Sequence, residues 1–413
     1  MSATGEGTQD HTFVIVGASL AGAKAAETLR DEGFAGRVVL IGAEADRPYE
    51  RPPLTKDYLR GESEREKGYV HADGFYAERE IELMTGTTVT ALDPAGARIT
   101  LADGRELGYG RLLLTTGAEP RRLTIPGADL DGVHYLRTIE DCDALRERLG
   151  PGRSVAVVGA GWIGAELAAS ARQLGAEVTV IEPASVPLER VLGPEVGAVY
   201  RDVHREHGVN LMLGTGVEAL EGDGTVQRVR ASDGSVVECD LVAVGIGVTP
   251  RVELAEAAGL ETSNGIVVDE RLRTSAPEIF AAGDVANAWH PLYERHVRVE
   301  HWANALNQGP AAARSMLGQD VAYDRVPYFF SDQYDVGMEY SGYATDWDRV
   351  VFRGDPGSRE FIAFWLRDGR VLAGMNVNVW DVTDPIQALV RSGARIDERH
   401  LGDPEVPLAD LMS

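Results

Sequence analysis

Ser154-Val155-Ala156-Val157-Val158-Gly159-Ala160-Gly161-Trp162-Ile163-Gly164 decides the fold. A short run rich in β-branched residues enters a full G-x-G-x-x-G turn, and the turn opens a helix carrying Glu166-Leu167-Ala168-Ala169. The strand that follows, Glu177-Val178-Thr179-Val180-Ile181, ends at Glu182, 23 residues after Gly159 and near the expected spacing of about 20. In such a unit the turn amides and the helix N-terminus hold a pyrophosphate, while the acid accepts hydrogen bonds from ribose hydroxyls. Gly159, Gly161, Trp162, Ile163, Gly164, Glu166, Glu182 and Gly247 are therefore the candidate NADH contacts. A carboxylate at Glu182 repels the 2′-phosphate of NADPH, so NADH is the expected donor; the alternative is an ordinary strand-end acid.

A second copy lies upstream. Thr12-Phe13-Val14-Ile15-Val16 ends at Gly17-Ala18-Ser19-Leu20-Ala21-Gly22, a helix is expected from about Leu20 to Asp31 with Gly33 as its stop, and Arg37-Val38-Val39-Leu40-Ile41 leads to Gly42-Ala43-Glu44. Ser19 stands where the middle glycine is expected, so the backbone must approach a phosphate past a small side chain. The echo continues in Leu112-Leu113-Leu114-Thr115-Thr116-Gly117 and Leu241-Val242-Ala243-Val244-Gly245-Ile246-Gly247, apolar strands that each break at glycine with Pro120 or Pro250 just beyond. Ile279-Phe280-Ala281-Ala282-Gly283-Asp284 is a further strand delivering an acid after a glycine; alone it reads as a turn with an Asx cap, but after two nucleotide units it reads as a flavin contact.

Composition narrows the class. At 413 residues the chain suits two to four domains, and 44% apolar with 25% charged residues is ordinary for a globular protein. A net charge of −25 opposes non-specific binding to nucleic acid or anionic lipid. Met1–His11 reads as a polar tail rather than a signal peptide, and no apolar run approaches the ~20 residues of a membrane span, so a cytoplasmic location is expected. Cys142 and Cys239 are too few and too far apart for a disulfide framework or a Cys-x-x-Cys motif. No metal site is expected: His204 and His207 sit in Tyr200-Arg201-Asp202-Val203-His204-Arg205-Glu206-His207, which reads as the solvated face of a polar helix.

Beyond the glycine turns, the chain contains Arg47-Pro48-Tyr49-Glu50-Arg51-Pro52-Pro53-Leu54-Thr55-Lys56, Leu188-Glu189-Arg190, Glu300-His301-Trp302-Ala303-Asn304-Ala305 and Phe330-Ser331-Asp332-Gln333-Tyr334. No helix or strand periodicity accounts for these runs. With the motifs above they resemble, over almost the whole chain, the flavoprotein ferredoxin reductases that serve bacterial oxygenases. The resemblance implies an α/β fold with two Rossmann-like, glutathione-reductase-like dinucleotide domains and a mixed α/β C-terminal domain. It places the FAD domain at 1–118 and 246–322, the NADH domain at 119–245 and the C-terminal domain at 323–413. Carried over residue by residue, the FAD contacts are Gly17, Ser19, Ala21, Gly22, Glu44, Lys56, Val89, Arg137, Asp284 and Trp302. Glu44 suits the adenosine ribose, Asp284 the ribityl chain, and Trp302 the side of the isoalloxazine ring. Ala43 departs from relatives that place an acid there.

The resemblance also implies an activity: NADH reduces FAD, and a small [2Fe–2S] ferredoxin takes the electrons to a haem-thiolate monooxygenase or a ring-hydroxylating dioxygenase. Hydride transfer needs nicotinamide C4 close to flavin N5, with alignment as the protein's main task. The family pairs a lysine from the Pro-Pro-Leu segment with the glutamate after the second glycine turn, here Lys56 and Glu166, the candidate catalytic residues. The alternatives are a solvated surface charge for Lys56 and a first-turn acid favouring the helix dipole for Glu166. No cysteine occupies Tyr49-Glu50-Arg51-Pro52-Pro53, where thiol-dependent relatives carry one, which disfavours disulfide or peroxide reduction. A rubredoxin, a quinone or monodehydroascorbate stays open as acceptor, as does a redox-signalling role. Because ferredoxins are usually acidic, docking requires a local basic patch, with Arg295, Arg298 and Arg314 as candidates and solvated arginines as the alternative. A monomer or weak homodimer is the family-level expectation.

Overall fold

The structure is a computed structural model and describes residues 11–412; the polar tail reading lies almost wholly outside them. The described chain divides into two compact units. The first takes the residues up to Glu50, Arg65–Glu119 and Thr249–Pro327, and the second takes Arg51–Glu64, Pro120–Val248 and the residues from Tyr328 onward.

The first unit is built on a five-stranded parallel sheet, in the order Ile279–Ala281, Arg111–Leu114, Thr12–Val16, Arg37–Ile41, Ile81–Met84. Val16 pairs with Ile41 on one side and Leu114 on the other, so three strand ends converge where the glycine turn begins. Every residue of Thr12–Val16 is buried, as a central strand covered on both faces requires. The helix Leu20–Asp31 presents Ala21, Ala23, Ala25 and Ala26 to the interior. These small side chains let the helix Trp302–Met316 approach closely: a Cβ on Gly309 would lie 2.3 Å from the Ala21 carbonyl oxygen. Two three-stranded sheets complete the unit, Val89–Asp93 with Arg98–Leu101 and Glu106–Gly108, and Ile266–Val268 with Ala286–His290 and Arg295–Val297.

The second unit repeats the architecture. Its five-stranded parallel sheet runs Asn210–Leu213, Glu177–Glu182, Ser154–Val158, Leu241–Val244, Val133–Tyr135, and Val158 pairs with Ile181 and Val244 just as Val16 pairs with Ile41 and Leu114. The C-terminal residues form a five-stranded antiparallel sheet, in the order Tyr328–Gln333, Val336–Gly342, Arg370–Val377, Glu360–Arg367, Arg349–Asp355. Leu192, Val196, Tyr200 and Val203 of the helix Glu189–Glu206 share a core with Met338, Tyr340, Trp365 and Met375 of that sheet. Ile386, Leu389 and Val390 form the buried face of the helix Thr383–Ser392. The fold is therefore α/β with two Rossmann-like domains and a mixed α/β C-terminal domain.

The helix containing His204 corrects one expectation. The segment is helical and ends before Gly208, but its polar sequence does not lie wholly in solvent. His204 is 1% exposed, with its Nε2 2.9 Å from Gln333 Oε1, and His207 stacks on Tyr334 at 3.7 Å between ring centroids. The physical reason is that the C-terminal sheet covers this face and supplies polar partners for the ring.

Candidate functional site

In the first unit, Gly17 has φ +119°, and a Cβ there would lie 2.1 Å from the Thr115 carbonyl oxygen. The Gly17 amide donates to Ile41 O at 2.8 Å, and the Thr115 hydroxyl donates to Gly17 O at 2.8 Å, so the turn is stitched to both neighbouring strands. Gly22 is required by its approach to Gly17 O, 2.1 Å from its would-be Cβ. Ser19 is the extended cap residue of the helix, and its hydroxyl makes no capping bond. A Cβ on Gly42 would lie 2.6 Å from Ala18 Cβ, which brings the Glu44 segment beside the turn. The Tyr49 hydroxyl donates to Glu44 Oε2.

Gly283 joins the same neighbourhood: its would-be Cβ is 3.2 Å from Ala21 Cβ, and its amide donates to Gln308 Oε1 at 2.8 Å. Asp284 follows, with its carbonyl held by the Arg298 guanidinium at 3.2 Å, and Trp302 opens the helix that carries Gln308. Val89 begins a strand in this unit, half-buried. Lys56 and Arg137 belong to the second unit, where the Arg137 amide donates to Asp141 Oδ2 at 3.0 Å and its carbonyl accepts from Arg51.

The second glycine turn supplies the test of fit for a dinucleotide. Gly159, with φ +95°, and Gly164 are each explained by the protein itself, their would-be Cβ atoms lying 2.5 Å from Gly245 O and 2.1 Å from Gly159 O. Gly161 is not: its φ of −72° suits any residue, and its would-be Cβ reaches nothing nearer than Gly245 O at 4.0 Å. The missing side chain therefore leaves open space at the head of the helix Trp162–Gln173, whose cap makes no side-chain bond. That is what close approach of a phosphate requires. Glu182 is oriented over this turn: Oε2 accepts from the Ala160 amide at 2.7 Å and Oε1 from the Ala184 amide at 2.9 Å. Carboxylate oxygens have two lone pairs each, so both keep acceptor capacity for ribose hydroxyls. Trp162 packs edge-on to Phe329, Ile163 is half-buried, and Gly247 sits at φ +94° in an exposed turn.

Lys56 and Glu166 meet inside the second unit. Lys56 Nζ lies 2.6 Å from Glu166 Oε2, with side-chain exposures of 12% and 8%, so Lys56 is not a solvated surface charge. Glu166 also accepts from the Thr55 hydroxyl on Oε2 and from the Ser331 hydroxyl on Oε1, the latter at 2.6 Å. These donors meet the hydrogen-bonding demand of a buried carboxylate. Thr55 and Ser331 stood in the quoted runs Pro52-Pro53-Leu54-Thr55-Lys56 and Phe330-Ser331-Asp332-Gln333-Tyr334 without a role. A hydroxyl one position from a candidate lysine is the signal that was present.

Both thiols are buried, and burial pushes each up to about 12, so they are protonated and unreactive at neutral pH. Cys142 Sγ donates to Leu54 O at 3.2 Å. Of the arginines suggested for docking, Arg298 pairs with Glu300 and Arg314 with Glu32 at 2.7 Å, which offsets their charge; Arg295 is exposed. Among the described residues no cluster of three or more His, Cys, Asp or Glu could hold a metal ion, and no helix is long and apolar enough to cross a membrane.

Comparison with known proteins agrees with this geometry. Residues 11–309 match the model of the pyridine nucleotide-disulphide oxidoreductase family, and residues 328–412 match that of the reductase C-terminal domain. The chain is 42% identical over 407 residues to the ferredoxin–NAD(+) reductase component of an anthranilate 1,2-dioxygenase system from Burkholderia cepacia, covering 97% of this chain and 99% of that one. It is 38% identical over 406 residues to putidaredoxin reductase of Pseudomonas putida, covering 97% and 96%. The crystal structure of the covalent putidaredoxin reductase–putidaredoxin complex superposes with a TM-score of 0.94 at 38% identity, over 98% of each chain. With two such glycine turns, the Lys56–Glu166 pair and similarity along its whole length, the chain belongs to the pyridine nucleotide-disulphide oxidoreductase family, among its ferredoxin reductases of oxygenase systems.

Proposed function

We propose that this chain is an NADH-dependent, FAD-containing reductase that passes electrons to a [2Fe–2S] ferredoxin supplying a haem-thiolate monooxygenase or a ring-hydroxylating dioxygenase. The single observation that carries the reading is Gly161, a glycine with no internal cause at the head of a helix whose neighbouring strand ends in the amide-held Glu182. In this reading the residues of 119–245 bind NADH, those of 1–118 and 246–322 bind FAD, and 323–413 form the C-terminal domain. The first turn, with Gly17, Ser19, Ala21 and Gly22, receives the FAD pyrophosphate. Glu44 accepts from its ribose, Val89, Asp284 and Trp302 are further FAD contacts of the same unit, and Lys56 and Arg137 are FAD contacts carried over from the family.

The bound flavin supplies the two-electron to one-electron conversion. The chain's own residues bind and align. Glu182 orients the adenosine ribose of NADH and repels a 2′-phosphate, while the first-turn amides after Gly161 neutralise the pyrophosphate. Lys56, fixed by Glu166, presents a cation beside the nicotinamide path. The two buried thiols take no part, and in this reading the electrons leave through an external carrier. We read the protein as cytoplasmic and as a monomer or weak homodimer.

The test is anaerobic stopped-flow absorbance of the flavin-loaded protein mixed with NADH or NADPH, followed by an oxidised [2Fe–2S] ferredoxin. Fast bleaching by NADH and reoxidation coupled to ferredoxin reduction are the expected result. Bleaching with no transfer to ferredoxin would remove the acceptor assignment and leave the NADH–flavin half standing.

A further inference from the structure

Ser331 and Gln333 lie two residues apart on the strand Tyr328–Gln333, so their side chains leave the same face of the sheet; both are buried, at 2% and 1% exposure. They bridge two helices. Ser331 Oγ is 2.6 Å from Glu166 Oε1, Gln333 Nε2 is 3.3 Å from Ser331 Oγ, and Gln333 Oε1 is 2.9 Å from Nε2 of the equally buried His204. The Tyr334 hydroxyl lies 3.4 Å from His204 Nδ1.

Donor and acceptor chemistry gives this chain one direction. An ionised Glu166 can only accept, so the Ser331 hydroxyl donates to it. Ser331 oxygen then accepts from the Gln333 amide nitrogen, which turns the amide oxygen toward His204. That oxygen only accepts, so His204 carries its proton on Nε2, and Nδ1 is left to accept from Tyr334. Each contact has one donor and one acceptor in this one pattern, and every donor points toward Glu166. Burial holds His204 down at about 4, consistent with the neutral ring the pattern requires. The charged and titratable groups around Glu166 are Lys56, Asp332 and Tyr200, with Arg60 beside Asp332; those around His204 are His207 and Tyr334.

We infer that Ser331, Gln333 and His204 are positioning residues: a directed hydrogen-bond chain from the C-terminal sheet holds the Glu166 carboxylate, and through it the Lys56 ammonium, in the arrangement that hydride delivery uses. The inference rests on the proposed placement of the Lys56–Glu166 pair at the nicotinamide site. Thr55 and Lys56 fix one oxygen of Glu166 and Ser331 the other, so loss of Ser331 leaves the carboxylate free to rotate and carry the lysine with it. Displacement of a charged group by a fraction of an ångström matters for transfer that depends on distance and alignment.

The test uses the flavin-loaded full chain. Imidazole ¹⁵N NMR of the wild type reads His204 directly, and a neutral ring protonated on Nε2 is expected between about pH 8 and about pH 5. Ser331→Ala is expected to slow anaerobic flavin reduction at saturating NADH by about ten-fold, the scale of one lost hydrogen bond to a charged group, while NAD⁺ affinity measured by calorimetry stays unchanged. Ser331→Thr, which keeps the hydroxyl, is expected to restore the rate. A His204 ring protonated on Nδ1, or wild-type reduction by a folded Ser331→Ala, would overturn the inference. Glu166→Gln and Lys56→Met separate the two failures: if both reduce at the wild-type rate, the placement of the pair falls and this inference with it. If they slow while Ser331→Ala does not, the positioning chain alone falls.

Discussion

Glu182 is held by two backbone amides, Ala160 and Ala184, at the strand end where the proposed adenosine ribose sits. Reversing its charge should replace repulsion of a 2′-phosphate by attraction. Glu182→Arg is therefore expected to lower the ratio of NADH to NADPH reduction rates by about ten-fold or more, with FAD retained; an unchanged ratio would remove Glu182 from donor selection. Gly161 allows a cleaner separation of fold from ligand. Its would-be Cβ comes no closer than 4.0 Å to Gly245 O, so Gly161→Ala should leave stability, read by thermal melting, within about 0.5 kcal/mol of wild type yet weaken NAD⁺ binding, measured by calorimetry. Equal loss of stability and binding would mean that the glycine serves packing.

Among the elements of the first unit, the helices Leu20–Asp31 and Trp302–Met316 pack in close contact. The contact depends on Gly309, whose would-be Cβ would lie 2.3 Å from a backbone oxygen that cannot rotate away. Gly309→Ala is expected to destabilise the first unit by about 1–3 kcal/mol and to loosen flavin, because the same helices carry Ala21, Gln308 and Trp302. Thermal melting followed by flavin fluorescence reads both effects; a variant with wild-type melting and full flavin after dialysis would show that the backbone moves apart at little cost. The strands and helices themselves were largely legible beforehand. Thr12–Val16, Leu20–Asp31, Arg37–Ile41 and Ser154–Val158 fall where their β-branched runs, glycine stops and alanine-rich faces put them, since these are local signals. The environment of Glu189–Glu206 was not legible, because a polar helix face gives no sign that a sheet will cover it and pair with His204.

For the molecule as a whole, burial of histidines sets the response to acid. His204 is lowered to about 4, so between that value and its ordinary 6.5 the unfolded chain binds a proton that the native chain does not. The stability it contributes is complete above pH 6.5 and is lost as pH falls toward 4, by roughly 3 kcal/mol in the limit. Burial lowers His71 and His134 as well, with the same sign. The melting temperature of the wild type is expected to fall across this window, and more steeply than that of His204→Leu; parallel slopes would show that His204 takes a proton without unfolding. The −25 net charge poses a separate question of encounter with an acidic ferredoxin, and the ion pairs of Arg298 and Arg314 make those residues weaker docking candidates than their sequence suggested.

The sequence by itself determined the two dinucleotide units, the order of their elements and the acids, Glu44 and Glu182, that end them, while the remaining flavin contacts came from the family resemblance. Each unit is written within a few tens of residues: a glycine turn, a strand period and an acid at fixed spacing need no knowledge of distant chain. The family resemblance had already paired Lys56 with Glu166, 110 positions on; tertiary structure alone decided that the pair is buried and that Ser331, a further 165 positions on, donates to the same carboxylate. It also decided that His204 is buried. Burial and hydrogen-bond partnership are properties of what packs across an element, and one-dimensional spacing carries no record of which distant strand will supply the missing donor.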